Sequence, residues 1–145
     1  LGWDGAGNAT LRDSDVIFFN NLYHRSGNIR LTGDNRTGAG DGDDEQIIVK
    51  LNSLSNDYQK IVFIVQIYEG IKNNQHFGQV DNAFIRAVDA SGKEMVRFDL
   101  SGKGYDQQRS LLFAELVREI NGWKFNALGQ SSASDNFLEW LKEYV

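Results

Sequence analysis

Leu111-Leu112-Phe113-Ala114-Glu115-Leu116-Val117-Arg118-Glu119-Ile120-Asn121-Gly122-Trp123-Lys124-Phe125-Asn126-Ala127-Leu128 reads as two strands joined by a tight turn. Asn-Gly between two apolar-rich runs is the strongest short-range hairpin signal a sequence offers, because both residues tolerate the positive φ of a two-residue turn. A second hairpin lies just upstream: residues 83–88 form a strand, Asp89-Ala90-Ser91-Gly92 the turn, and residues 94–100 the partner.

Working outward, Lys-Ile-Val-Phe-Ile-Val-Gln-Ile-Tyr over residues 60–68 is apolar on both faces and predicts a central buried strand. Residues 47–51 place Ile47, Val49 and Leu51 on one face, and residues 29–32 alternate likewise. Residues 16–20, Val-Ile-Phe-Phe-Asn, predict a further strand ending at an Asn20-Asn21 pair. Ser55-Asn56-Asp57 is turn or short-helix material, and residues 73–81 an ordered loop carrying Phe77-Gly78-Gln79-Val80. Ser134-Asp135-Asn136 caps an expected last helix over residues 137–144. Six to eight short strands with turns between them define the expected fold: all-β, a two-sheet β-sandwich with short helical elements, one of them at the C-terminus.

With 145 residues the chain fits one domain, spanning 1–145. Its 41% hydrophobic and 12% aromatic content is that of a globular protein. A net charge of −5 with scattered basic residues argues against nucleic acid as a partner. No apolar run approaches the ~20 residues needed for a helical membrane span. Cysteine is absent, which excludes disulfides, thiolate metal sites and cysteine nucleophiles. Asn8-Ala9-Thr10 and Asn35-Arg36-Thr37 match the glycosylation triplet, and with no secretory signal in view they read as chance matches.

Between the strands at 29–32 and 47–51 the chain reads Gly33-Asp34-Asn35-Arg36-Thr37-Gly38-Ala39-Gly40-Asp41-Gly42-Asp43-Asp44-Glu45. Five carboxylates and four glycines occupy these thirteen residues with one arginine, a local charge of −4 that repels itself unless a cation sits inside. Oxygen ligands of this kind suit a hard cation such as calcium, and glycines let backbone carbonyls turn inward. The run is not an EF-hand: counted from Asp41, the sixth residue is Gln46 where glycine is required, and the twelfth is Asn52 where glutamate is required. Nor is it a phosphate loop, since it lacks the Lys-Ser/Thr ending and its carboxylates repel phosphate. A hard-cation site and a solvated acidic turn both remain open on these residues alone.

Catalytic signals are sparse. His24 and His76 sit in polar turns without motif spacing, there is no zinc-type histidine pair, and Gly-x-Ser-x-Gly is absent. Glu69 reads as an ordinary strand-end carboxylate, although it could approach the acidic loop. Trp3, Trp123 and Trp140 read as core or core-edge residues, and Phe77 as either a recognition residue or a plug closing the sandwich.

Taken together, several stretches resemble the TerD domain of the tellurium-resistance and stress-response family. They are Leu1-Gly2-Trp3-Asp4, Asp15-Val16-Ile17-Phe18-Phe19-Asn20-Asn21, the run from Gly33 to Glu45, and Lys60-Ile61-Val62-Phe63. Phe77-Gly78-Gln79-Val80-Asp81-Asn82-Ala83-Phe84-Ile85-Arg86, Phe98-Asp99-Leu100, Phe113-Ala114-Glu115-Leu116 and Gly122-Trp123-Lys124-Phe125 continue the series in order. The resemblance implies a β-sandwich holding calcium (Ca2+) in an acidic region at one end, without known enzymatic chemistry. It implies metal ligands at Asp34, Asn35, Asp41, Asp43, Asp44 and Glu45, with backbone oxygens near Gly38 and Gly40 completing the shell. It also implies a cytoplasmic, non-enzymatic module acting through other stress-response proteins, in a membrane-associated complex peripheral to the inner face of the membrane.

Two departures from the family pattern bear on the site. The family begins with an extra strand and a lysine-glycine segment before Leu-Gly-Trp-Asp, and a Phe-Asp-Leu-Asp-x-Ser segment follows it; here Asp4 runs directly into Gly5. The expectation is therefore a single TerD-like domain lacking its N-terminal strand or strands, with Asp4 as a substitute ligand. An alternative of another class is a metal-dependent hydrolase, or a phosphate- or oxyanion-ligand-binding protein, using the acidic loop. Direct chemistry on tellurium is not expected, because Met95 is the single soft ligand.

Overall fold

The computed structural model describes residues 1–3, 9–32, 45–79, 83–100 and 103–144. Within them the protein is built from strands in antiparallel sheets with a lone short α-helix near the end, as the all-β expectation requires. The chain divides into two units, one formed by residues 1–60, 118–123 and 145, the other by residues 61–117 and 124–144.

In the first unit β1 (Gly2–Trp3) pairs with β2 (Ala9–Thr10), Gly2 lying opposite Thr10. Gly2 is required by close approach: a Cβ there would lie 3.0 Å from the Asp57 carbonyl oxygen and 3.1 Å from Thr10 Oγ1. β3 (Ile29–Leu31) pairs antiparallel with β4 (Ile47–Val49), with Ile29 opposite Val49 and Leu31 opposite Ile47. The other edge of β3 is lined by residues 22–24: Leu31 N donates to Leu22 O at 2.8 Å and His24 N to Ile29 O at 2.9 Å. Among the described residues of this unit, Leu31 and Leu54 are the buried apolar side chains.

Residues 16–20 do not form the expected strand. Asp13–Asp15 make a 3-10 helix, and Phe18 and Asn21 exchange backbone hydrogen bonds of 3.1 and 2.9 Å as an isolated bridge around a turn. The Asn21 side chain donates to Val16 O at 2.8 Å, so the asparagine closes the loop on itself and takes a bond a sheet neighbour would need. Here local side-chain chemistry outweighs the β-propensity of Val-Ile-Phe-Phe.

In the second unit the sheet order is β5 (Lys60–Gln66), β8 (Ser110–Glu119), β9 (Gly122–Ser132). A second sheet holds β6 (Phe84–Val88) and β7 (Glu94–Asp99), with Phe84 opposite Asp99 and a bulge at Ala87/Val88. Both expected hairpins are present. The first turns on Asp89, whose Oδ1 accepts from the Ser91 hydroxyl at 2.6 Å and from Lys93 N and Ser91 N, each at 2.9 Å; the hydroxyl above all holds its carboxyl below the usual range. The second turns through Ile120 and Asn121, with Gly122 at φ 153° opening β9.

The central strand is β8, not residues 60–68. Ser110, Leu111, Leu112, Phe113 and Ala114 are all buried, whereas β5 is half-buried along its length and lies on one side of β8. Apolar content on both faces of residues 60–68 was a correct sign of a strand but did not specify its place in the order, which sheet pairing alone decides. The two sheets pack face to face: Phe77, Leu100, Leu111, Phe113 and Ala114 form the core, joined by Phe63, Ile85, Phe98 and Phe125. Phe98 and Phe125 meet the Phe113 ring edge-on at centroid distances of 5.6 and 6.2 Å. Phe77 is 3% exposed and so acts as the plug.

The expected last helix is shorter than residues 137–144. α1 spans Leu138–Leu141, with Asn136 Oδ1 accepting from Leu138 N at 3.1 Å at its start and turns following it.

Candidate functional site

The acidic run is the connection between β3 and β4. At its base Thr32 N donates to Gln46 O at 2.9 Å, and Gln46 N donates to Thr32 Oγ1 at 3.1 Å. Together with the Leu31–Ile47 register, these bonds hold the two ends of the run side by side. Asp34, Asn35, Gly38, Gly40, Asp41, Asp43, Asp44 and Asp4 lie outside the described residues. Glu45 is described and is exposed at the entry to β4. Among the described residues no group of three His, Cys, Asp or Glu side chains could hold a metal. The donor set of the run, carboxylate, amide and carbonyl oxygen without nitrogen or sulfur, fits calcium.

Next to this hairpin lies a buried polar junction that sequence reasoning missed. His24 opens the polar turn to Gly27, as read, but its side chain is buried there: it is 1% exposed and that of Asp15 6%. His24 Nε2 lies 3.0 Å from Asp15 Oδ1. Its Nδ1 accepts from Ser26 N at 3.2 Å and lies 2.7 Å from Ser26 Oγ, so the ring proton belongs on Nε2, facing the carboxylate. Tyr58 Oη donates to the same Asp15 oxygen at 3.3 Å and accepts from Arg25 Nε and Nη2 at 3.2 and 2.9 Å. The Tyr58 ring stands edge-on to His24 with centroids 5.0 Å apart. Burial pushes the Asp15 carboxyl up, but the His24 hydrogen bond, the Arg12 amide and attraction to His24 together hold it below its ordinary value.

Aspartate, histidine and serine in contact have the membership of a nucleophilic relay, and the detailed geometry is that of a turn lock. Ser26 Oγ accepts from Asn28 N at 3.2 Å while Ser26 N binds the imidazole, so the hydroxyl is tied into its own turn. No spacing rule links positions 15, 24 and 58; only the fold brings them together.

His76 is likewise buried, held by Gln107 N at 3.2 Å and facing Asp106 Oδ1 at 3.4 Å. Glu69 pairs with Lys72 at 3.5 Å in the turn after β5, a strand-end carboxylate as read. Trp123 and Trp140 are half-buried; Trp140 Nε1 donates to the fully buried Ser110 Oγ at 3.0 Å.

A family model described as the TerD domain matches residues 4–144 of this chain. The chain belongs to the TerD family. It is 65% identical over 140 residues to the tellurium resistance protein TerX of Serratia marcescens, covering 96% of this chain and 66% of that protein. It is 40% identical over 132 residues to the stress response protein SCP2 of Bacillus subtilis (strain 168), covering 90% of this chain and 66% of that one. This TerD chain thus spans just under two thirds of the length of both relatives. Among solved structures, a Streptomyces coelicolor A3(2) homologue of the telluride resistance protein TerD superposes with a TM-score of 0.65 at 25% identity, covering 79% of this chain and 66% of that one. The tellurium-resistance and stress-response family expected from the residues is therefore the one to which this TerD domain belongs. Among the described residues no helix is long and apolar enough to cross a membrane.

Proposed function

We propose that this TerD domain is a non-enzymatic calcium-binding module that acts through protein partners in a stress-response assembly at the cytoplasmic face of a membrane. The observation that carries the reading is the β3–β4 hairpin closed by Thr32 and Gln46 beneath a run with five carboxylates. Such a run is self-repelling when empty, and a divalent cation removes the repulsion. Asp34, Asn35, Asp41, Asp43, Asp44 and Glu45, with carbonyls near Gly38 and Gly40 and with Asp4, would hold the ion. Together these donors exceed the 6–8 oxygens that calcium takes, roughly. No observation favours the hydrolase or oxyanion-binding alternative.

Calorimetric titration with calcium, beside a variant carrying Asp43→Asn and Asp44→Asn, tests the reading. The intact chain should bind with measurable heat and gain about 2.7 kcal/mol of stability at calcium one hundredfold above Kd. The double variant should lose most of both effects. An intact chain with no heat of binding and an unchanged melting temperature would overturn the proposal.

A further inference from the structure

The stretch beginning Phe77-Gly78-Gln79 plays no part in the calcium reading, and His76, the residue before it, is buried. His76 Nδ1 accepts from Gln107 N at 3.2 Å, so the ring proton belongs on Nε2, which lies 3.2 Å from the Gln107 side-chain amide. One glutamine thus clasps both ring nitrogens. The same Nδ1 faces Asp106 Oδ1 at 3.4 Å, with the His76 side chain 8% exposed and that of Asp106 64%. Gly78 makes this approach possible, because a Cβ there would lie 2.7 Å from Asp106 Oδ1 and 3.0 Å from His76 Nδ1.

A single nitrogen cannot serve both partners in one protonation state. Neutral imidazole accepts from the Gln107 amide and turns its lone pair toward a carboxylate that has no proton to give. Imidazolium carries a proton on each nitrogen: it keeps the Nε2 contact, loses the Gln107 N bond and gains a charge-assisted bond to Asp106. Two charged groups bear on the ring from neighbouring residues. Asp106 favours the charged form, and the Arg109 guanidinium, held on the carbonyls of Gln75 and Gln107 at 3.0 and 3.4 Å, opposes it.

What the Gln107 bond holds in place is the core plug. Gln107 has φ 60°, a left-handed backbone that a non-glycine residue keeps only where its surroundings impose it. Next in the chain, Gln108 O accepts from Phe77 N at 2.8 Å, and Gln108 N donates to Tyr105 O at 3.0 Å. The Tyr105 ring meets Phe77 edge-on at a centroid distance of 6.5 Å. Releasing Gln107 N therefore frees the neighbour of the residue that fastens Phe77.

We propose that His76 is a proton-operated latch on residues 105–108. Neutral, it holds Gln107 and with it the Phe77 end of the core; protonated, it exchanges Gln107 for Asp106 and releases the loop. The latch is closed above the titration of His76 and opens as pH falls through it. It stands independently of the calcium reading.

The test is NMR on the full chain without metal, stepped from about pH 8 to about pH 5, the range of ordinary histidine titration. The Gln107 amide signal should shift with the midpoint of the His76 ring. Hydrogen-exchange protection of the Phe77 amide, corrected for intrinsic exchange, should be lost on the acid side of that midpoint. Asp106→Asn keeps the shape and removes the charge that draws the proton, so both midpoints should move together to lower pH. Asp106 lies at the surface, and the variant therefore probes the latch rather than the core. A His76 ring that does not titrate in this range, a Gln107 amide that does not follow the ring, or Phe77 protection unchanged across the transition overturns the proposal. So does an Asp106→Asn variant in which both midpoints stay where they were.

Discussion

The Arg118 guanidinium lies 4.4 Å from the centroid of the Trp123 ring, across the turn that joins β8 to β9. The same group donates to three carbonyls: Nε to Tyr58 O at 2.8 Å, and Nη2 to Leu54 O at 3.1 Å and Ser55 O at 2.9 Å. One planar side chain therefore gathers three carbonyls of the segment from Leu54 to Tyr58. A lysine keeps the charge but loses both the fork and the stacking surface. Arg118→Lys is expected to cost about 1–3 kcal/mol, read as a lower urea midpoint with an unchanged slope. An unchanged midpoint would mean that charge alone holds the loop.

Asp15 predicts the acid limb of stability. Its folded pKa lies below the ordinary 3.8, so the carboxylate contributes stability above that value, and the contribution is lost as pH falls through the folded pKa. Thermal melts stepped downward from pH 5 should fall more steeply below pH 3.8 for the intact chain than for Asp15→Asn. Parallel curves would remove Asp15 from the account.

Tyr144 predicts the opposite limb. Its Oη donates to Glu115 Oε2 at 3.1 Å. Burial, that hydrogen bond and repulsion from Glu115 and Glu143 push its pKa up from 10.0 to about 12. A raised folded value means stability present below pH 10.0 and lost as pH rises toward about 12. An ultraviolet titration should show one late tyrosinate that Tyr144→Phe removes; loss of an ordinary titrating tyrosine instead would contradict the assignment.

Gly129 of β9 packs directly against Phe98 of β7. It has φ +65°, and a Cβ there would lie 2.9 Å from Phe98 Cζ. Gly129→Ala adds backbone strain to overpacking and should cost on the order of 2–3 kcal/mol by denaturant unfolding. Gly92→Ala has a positive φ of +87° but nothing within 4 Å, so it should cost less, about 1 kcal/mol. Equal losses would show that packing against Phe98 is not a factor.

Much of the fold was legible locally. Asn121-Gly122 and Asp89-Ala90-Ser91-Gly92 marked both hairpins because turn chemistry acts over four residues and tolerates few alternatives. Residues 16–20 misled because strand propensity measures fit to a sheet, and the Asn21 side chain supplied a competing bond within the segment. At the candidate site, the acidic run could be read as a stretch of oxygen donors from composition, spacing and template tests. The contact of Asp15 with His24 and Tyr58 could not be read, since no spacing links the three positions.

The sequence by itself determined the fold class, the two hairpins, the TerD membership and the chemistry of the donor run, because each is written in contiguous residues whose physics is local. Only tertiary structure decided that β8 rather than β5 is central, that Phe77 closes the core, and that Asp15, His24 and Tyr58 share one buried junction. Pairing order and burial depend on contacts between residues distant along the chain. A single carboxylate oxygen that joins positions 15, 24 and 58 therefore has no signature until the chain has folded.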